Sequence, residues 1–171
     1  MRNLFKKTAV IALVASAAML GAVASPSAFA GSKTATFDVT LTVENDCSMA
    51  ANPLNFGSTG ILDKNLDQSG NLSVSCTKGT PYNVALDAGS ASGSTVSQRK
   101  MSNAAGDASV SFNLYRDAAR TQLWGMTTDT DTVSGTGTGG EQTHTVYGRV
   151  PTQDTPAPGA YSSTITATVV F

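Results

Sequence analysis

Apolar and polar residues alternate strictly from position 34 to 43. Ala35, Phe37, Val39, Leu41 and Val43 fall on one face, and Thr34, Thr36, Asp38, Thr40 and Thr42 on the other. Successive side chains of a strand point to opposite faces, so this pattern predicts a strand with one apolar and one wet side, about 33 Å long at ~3.3 Å per residue. The same two-residue period recurs at Leu72, Val74 and Cys76, at Tyr82, Val84 and Leu86, at Val110, Phe112 and Leu114, and through 144–150. It closes the chain over 161–171, where Tyr161, Ser163, Ile165, Ala167, Val169 and Phe171 share a face. Residues 52–57 read as a short extended piece ended by glycine, and 100–103 as a short edge strand. Leu123 and Trp124 are expected to return the chain as a hairpin after the turn at 116–120. The small-residue stretch 87–97, the Thr/Asp/Gly stretch 127–140 and the segment 151–158, which holds three of the six prolines, read as loops. No segment keeps a 3.6-residue apolar period. Strands at roughly ten-residue intervals with turn signals between them predict an all-β chain folded as a β-sandwich.

The first thirty residues stand apart from this pattern. Arg2, Lys6 and Lys7 make a basic start, an Ala/Val-rich apolar run follows, and Ala28, Phe29 and Ala30 form a small-x-small cleavage site. The run is too short and too poorly flanked for a spanning helix. Residues 1–30 are therefore expected to be a secretion signal, and the exported chain to begin at Gly31. Its removal takes three of the 11 Lys and Arg, leaving 8 against 12 Asp and Glu. Such a chain offers nothing to nucleic acid or an anionic membrane. In an exported protein the two cysteines, Cys47 and Cys76, are expected to form a disulfide, worth roughly 3.5 kcal/mol for a loop of this length. A thiolate metal site would need further ligands, and the chain has one His.

Candidate chemistry is thin. His144 lies inside a strand and no Gly-x-Ser-x-Gly elbow accompanies it, so nucleophilic catalysis has no base. Asp129 and Asp131 resemble the start of a calcium loop but lack its third acid and its glycine. Asp117, between Arg116 and Arg120, reads as an acidic turn residue held by its neighbours. Trp124 reads as a cover for the core, and a sugar platform built on it would lack aromatic neighbours. No catalytic residue, metal, cofactor or small-molecule substrate is expected.

Three blocks carry a resemblance. FNLYRDAARTQLWG at 112–125, VYGRVP at 146–151, and PGAY at 158–161 leading into an alternating strand are similar to the spore coat protein U domain family. The early Cys47 and LNFG at 54–57 fit as well, so the likeness runs over essentially the whole exported chain. Its motif residues here are Tyr115, Asp117, Trp124, Gly148, Gly159 and Tyr161. Ser163 and Met126 stand where members often carry an acid.

The resemblance implies an archaic chaperone–usher pilin. Its fold would be an immunoglobulin-like β-sandwich lacking its last strand, completed by a donor strand from the next subunit. Residues 31–46 would then be the donor strand and its link, with Phe37, Val39, Leu41 and Val43 as docking side chains, and 47–171 the pilin-type domain. The acceptor groove would be walled by the final strand, with Ile165, Ala167, Val169 and Phe171. The implied partners are neighbouring pilin subunits in a homopolymer, a periplasmic chaperone and an outer-membrane usher, and the implied place is a surface fibre serving adhesion and biofilm formation. A spore or cyst coat role, or a soluble sugar-binding module, is the alternative on the same fold. With the chain ending at Phe171, the last strand is expected to have no successor to pair with.

Overall fold

The computed structural model describes residues 30–171, so the signal segment expected at 1–30 lies outside the described residues except for Ala30. The chain divides into two units between Thr40 and Leu41, and every strand belongs to the second. In chain order these are β1 (Cys47–Ala51), β2 (Leu66–Cys76), β3 (Pro81–Leu86), β4 (Arg99–Ser102), β5 (Ser109–Tyr115), β6 (Val133–Thr136), β7 (Glu141–Val150) and β8 (Ala167–Val170). The described residues contain no helix. Two antiparallel sheets, β1-β2-β7-β5-β4 and β6-β3-β8, form the sandwich.

Register follows from the alternation. The β2–β7 ladder runs from Leu66 opposite Val150 to Ser75 opposite Glu141, which puts Leu72, Val74 and Cys76 on one face with Val146, Gly148 and Val150. A one-residue slip would turn that whole set to water, so burial of one face specifies the pairing. Leu114 opposite Gly148 and Met101 opposite Val110 extend the face through β5 and β4. Tyr82, Val84 and Leu86 close over it from β3, and all three are buried. Trp124 is fully buried among them, its indole N–H donating to Val84 C=O at 2.8 Å.

The structure corrects several expectations. Residues 34–43 are not a strand: no ladder forms there, and Phe37, Val39 and Leu41 are at least 85% exposed. Alternation marks a strand that could form, but a strand exists only when a partner takes its backbone groups. The return at Leu123 and Trp124 is shorter than a pair of strands, one antiparallel bridge of Leu123 to Tyr115 with Trp124 N–H donating to Leu114 C=O at 2.9 Å. The expected loop 127–140 contains β6, which the edge of β3 recruits through Val84 opposite Val133 and Tyr82 opposite Gly135. The edge strand near 100–103 begins one residue earlier, at Arg99. Cys47–Ala51, not foreseen as a strand, pairs with β2 along its whole length.

The final segment is regular only over Ala167–Val170. Before that its even residues bond in turn to three different places. Ser162 exchanges two bonds with Ser102 of β4, Thr164 bonds Ser90, and Thr166 N–H meets the Asp87 carboxylate at 2.9 Å while its C=O accepts from Asp87 N–H. A carboxylate standing in for a carbonyl breaks the ladder. The segment thus crosses from one sheet to the other before β8 settles on β3.

Candidate functional site

Between β1 and the final segment the sandwich is open. One wall is residues 51–56 and the other is residues 163–167, with Leu72, Leu86, Phe112, Leu114 and Val146 on the floor of a groove of 310 Å³. It continues into a wider trough of 930 Å³ bounded by residues 53–60 and 155–163. Among the described residues, no charged side chain lines either part.

The first wall sits where it does because of glycine. A Cβ on Gly148 would stand 2.9 Å from Phe56 Cζ and 3.0 Å from Leu54 Cδ1, and one on Gly70 would stand 3.4 Å from Leu54 Cβ. These two positions on β7 and β2 leave a shallow bed into which Leu54 and Phe56 settle, both half-buried. Phe56 meets Phe112 edge-on, ring centroids 6.2 Å apart. The second wall is held at its start by Tyr161, whose hydroxyl donates to Ala157 C=O at 2.7 Å.

Each wall presents an unsatisfied backbone edge. Along the final segment the even residues turn their backbone groups toward β4, the 87–90 loop and β3, so the odd ones face the groove. Among the described residues, no hydrogen bond reaches the backbone N–H or C=O of Ser163 or Ile165, and the Ser163 hydroxyl is buried without a partner. β1 pairs with β2 on one side only. Two bare edges flank an apolar floor, and buried backbone groups left unpaired are costly. The arrangement combines an apolar floor with free backbone donors and acceptors along its rims, the chemistry that an extended segment could use.

Of the expected groove residues, Ile165 and Ala167 line it. Val169 is half-buried against the core next to them, and Phe171 is 55% exposed. Cys47 and Cys76 face each other across β1 and β2 and are joined by a disulfide. The motif residues turn out to shape the body rather than gather in one place. Asp117 accepts from the N–H groups of Gln122 (2.7 Å) and Thr121 (3.0 Å) and from the Thr121 hydroxyl (2.8 Å). Partial burial raises its carboxyl, but those bonds outweigh it and hold the group below the ordinary carboxylate range. These are the bonds of an acidic turn residue held by its neighbours, as expected, and neither flanking arginine side chain clamps it. Arg120 instead donates to Gly148 C=O, approaches Asp67 at 3.4 Å and lies over the Tyr147 ring, while Arg116 donates to Thr132 C=O. Tyr115 sits opposite Tyr147 on the five-stranded sheet, and Gly159 occupies the open turn before Tyr161. Asp131 binds Thr127 N–H at 2.6 Å, which uses the carboxylate to brace its own loop. With Trp124 buried, it offers no face to a sugar.

Arg99 escaped the sequence reading. It is fully buried, and its guanidinium donates to the carbonyls of Trp124 (2.7 Å), Asp87 (2.8 Å), Leu86 (2.9 Å) and Val96 (3.2 Å). Burial pulls its pKa down to about 10, against the raising effect of Asp87 and Asp131. It ties β3, β4 and the Trp124 segment together beside the groove floor. A charged residue opening an edge strand carries no sequence signal for this, because its four partners are backbone carbonyls.

The profile of the Spore Coat Protein U domain matches residues 33–168. The chain belongs to this family. A relative named Protein U, from Myxococcus xanthus, is 36% identical over 179 residues, spanning 96% of this chain and 98% of its own. Among solved structures, a chain in the chaperone–tip adhesion subunit pre-assembly complex from archaic chaperone–usher Csu pili of Acinetobacter baumannii superposes with a TM-score of 0.58 at 21% identity. The match covers 76% of this chain and 41% of that one, so the present member of the family spans less than half of the solved chain's length. At that identity the likeness establishes the shared sandwich fold.

Proposed function

We propose that this chain is a structural subunit of a cell-surface pilus, assembled by a chaperone–usher pathway through donor-strand exchange. The observation that carries the reading is the pairing of two features in one chain. An apolar groove runs between two unpaired backbone edges, and an exposed segment has the alternation such a groove would accept. In this mechanism residues 1–30 direct export, a periplasmic chaperone lends a strand to the groove, and at the outer-membrane usher an incoming subunit replaces it with its residues 31–46. Phe37, Val39, Leu41 and Val43 then face the floor beside Ile165 and Ala167. Residues 47–171 are the domain that receives them. A head-to-tail contact that does not close on itself grows an open fibre, here a homopolymer. Adhesion and biofilm formation would be the fibre's work, and no enzymatic step is needed.

The energetics fit. Each docked side chain contributes about 1.5–3 kcal/mol, so four give up to roughly 6–12 kcal/mol as an upper bound. That is comparable to the entire stability of a small domain, about 5–15 kcal/mol.

Two altered chains test the reading. Deleting residues 31–44 should leave a weakly stable subunit that recovers when a synthetic 31–44 peptide is added. Moving the same segment behind Phe171 on a short flexible linker should give a hyperstable monomer. A deletion that unfolds the chain irrecoverably, with a full-length protein that stays monomeric at high concentration, would place the segment in its own sandwich and overturn the proposal. The family's spore coat description favours one second reading, a coat subunit assembled by the same exchange. Immunogold labelling of the chain on fibres or on a resting-cell coat separates the two.

A further inference from the structure

The link between the exposed segment and β1 is held in a way that bears on which groove the segment can enter, given the strand-exchange reading above. Residues 44–46 contain no turn. The Thr77 hydroxyl donates to Glu44 C=O at 3.1 Å and accepts from Asp46 N–H at 3.2 Å, while Thr77 N–H donates to Asp46 C=O at 2.9 Å. The hydroxyl of Thr80, a residue only 1% exposed, donates to Asn45 Oδ1 at 3.0 Å. One peptide further on, Cys47 N–H donates to Asp46 Oδ1 at 2.9 Å. In a trans peptide the C=O and N–H point opposite ways, and Asp46 C=O faces β2. Cys47 N–H therefore faces the bare edge of β1, and the carboxylate covers the first donor of that edge.

Three residues suffice for a hairpin loop. A reversal at 44–46 would lay the residues before it antiparallel along β1, into the groove of the same molecule. We infer that Thr77, Thr80 and Asp46 are positioning residues that forbid this reversal and commit the N-terminal segment to the groove of a second copy. Self-closure would require Thr77 to release both Glu44 and Asp46, Thr80 to lose the partner of a buried hydroxyl, and the Asp46 carboxylate to leave Cys47 N–H. Each hydrogen bond given up disfavours the closed form roughly fivefold. A molecule that filled its own groove would accept no neighbour and end the fibre. The clamp thus acts on partner choice while leaving the groove untouched.

The test compares the chain 31–171 with three variants: Thr77→Val combined with Thr80→Val, the conservative Thr77→Ser, and Asp46→Gly. The last removes the cap and puts an Asn-Gly pair, favoured in tight hairpin turns, into the link. Sedimentation reads oligomer size, and a labelled synthetic peptide of residues 31–44 reads groove occupancy. The parent and Thr77→Ser should form concentration-dependent oligomers. The double valine variant and Asp46→Gly should raise the monomer fraction at least about fivefold. Those monomers should refuse the peptide because their grooves are filled. Folded variants that oligomerise like the parent would overturn the inference, and so would monomers that still bind the peptide, since their donor would be lost rather than turned inward. A parent that neither oligomerises nor takes up the peptide would remove the strand-exchange reading itself, and the inference with it.

Discussion

Tyr82 and His144 bridge the two sheets, with 2.8 Å between the phenol oxygen and imidazole Nε2. Burial pushes the tyrosine up and the histidine down from its ordinary 6.5. An unfolded chain therefore binds a proton at His144 more readily than the folded one. This residue's contribution to stability is complete above pH 6.5 and is lost as the pH falls through the lower folded value. Denaturant unfolding followed from neutral pH to about pH 5 should show declining stability, and His144→Gln should flatten that decline. The carboxylates do not confuse the window. Asp67, lowered by the Arg149 fork, and Asp117, lowered by its turn bonds, have an ordinary value of 3.8 and give up their contribution at more acid pH. An unchanged slope in the variant would assign the decline to other groups.

At the scale of elements, two ties hold the groove walls. The first is the disulfide between β1 and β2, which fixes the start of β1 through a loop of 29 residues. Cys76→Ser should cost about 2–5 kcal/mol in unfolding free energy, and thiol titration of the exported parent should find no free cysteine. The second is the corner at Tyr161, where the hydroxyl reaches back four residues to Ala157 C=O. Tyr161→Phe should destabilise the chain by roughly 1 kcal/mol, the net value of one hydrogen bond, measured by urea unfolding with an unchanged m-value. A strand legible over eleven residues is regular over only four because the segment crosses from one sheet to the other before β8. Its alternation survives as far as Val169, with Tyr161, Ser163, Ile165, Ala167 and Val169 all half-buried and Phe171 exposed. Its hydrogen bonds are divided among β4, a loop and β3, and no local pattern announces that division.

For the molecule as a whole, the absence of charge along the groove decides which change is most damaging. On the proposed strand exchange, Leu41→Asp would bring a carboxylate into a groove whose lining holds no cation to meet it, a cost well beyond the lost leucine burial. Because Leu41 is 87% exposed in the single chain, the variant should fail to assemble yet fold with the thermal stability of the unassembled chain lacking residues 31–44. Electron microscopy of variant and parent preparations, beside a thermal melt of each, checks both halves. Lowered stability in the isolated variant would mean that Leu41 serves its own body.

What the amino-acid order determined by itself was everything that depends on near neighbours. Period-two alternation marked β2, β3, β5 and β7 and named the buried members of the first three, because side-chain direction in a strand is a local matter. The cysteine pair, the alternating apolar face of residues 34–43 and the resemblance blocks were equally legible. Tertiary structure decided what depends on partners distant in sequence. It left residues 34–43 without a ladder, raised β6 out of an apparent loop on the edge of β3, and drew Arg99 into the interior to serve four carbonyls. It also opened the groove, whose bed needs Gly70 and Gly148 diagonally placed on paired strands far apart in the chain. Backbone groups look alike at every position, so only the folded arrangement reveals which of them remain unpaired.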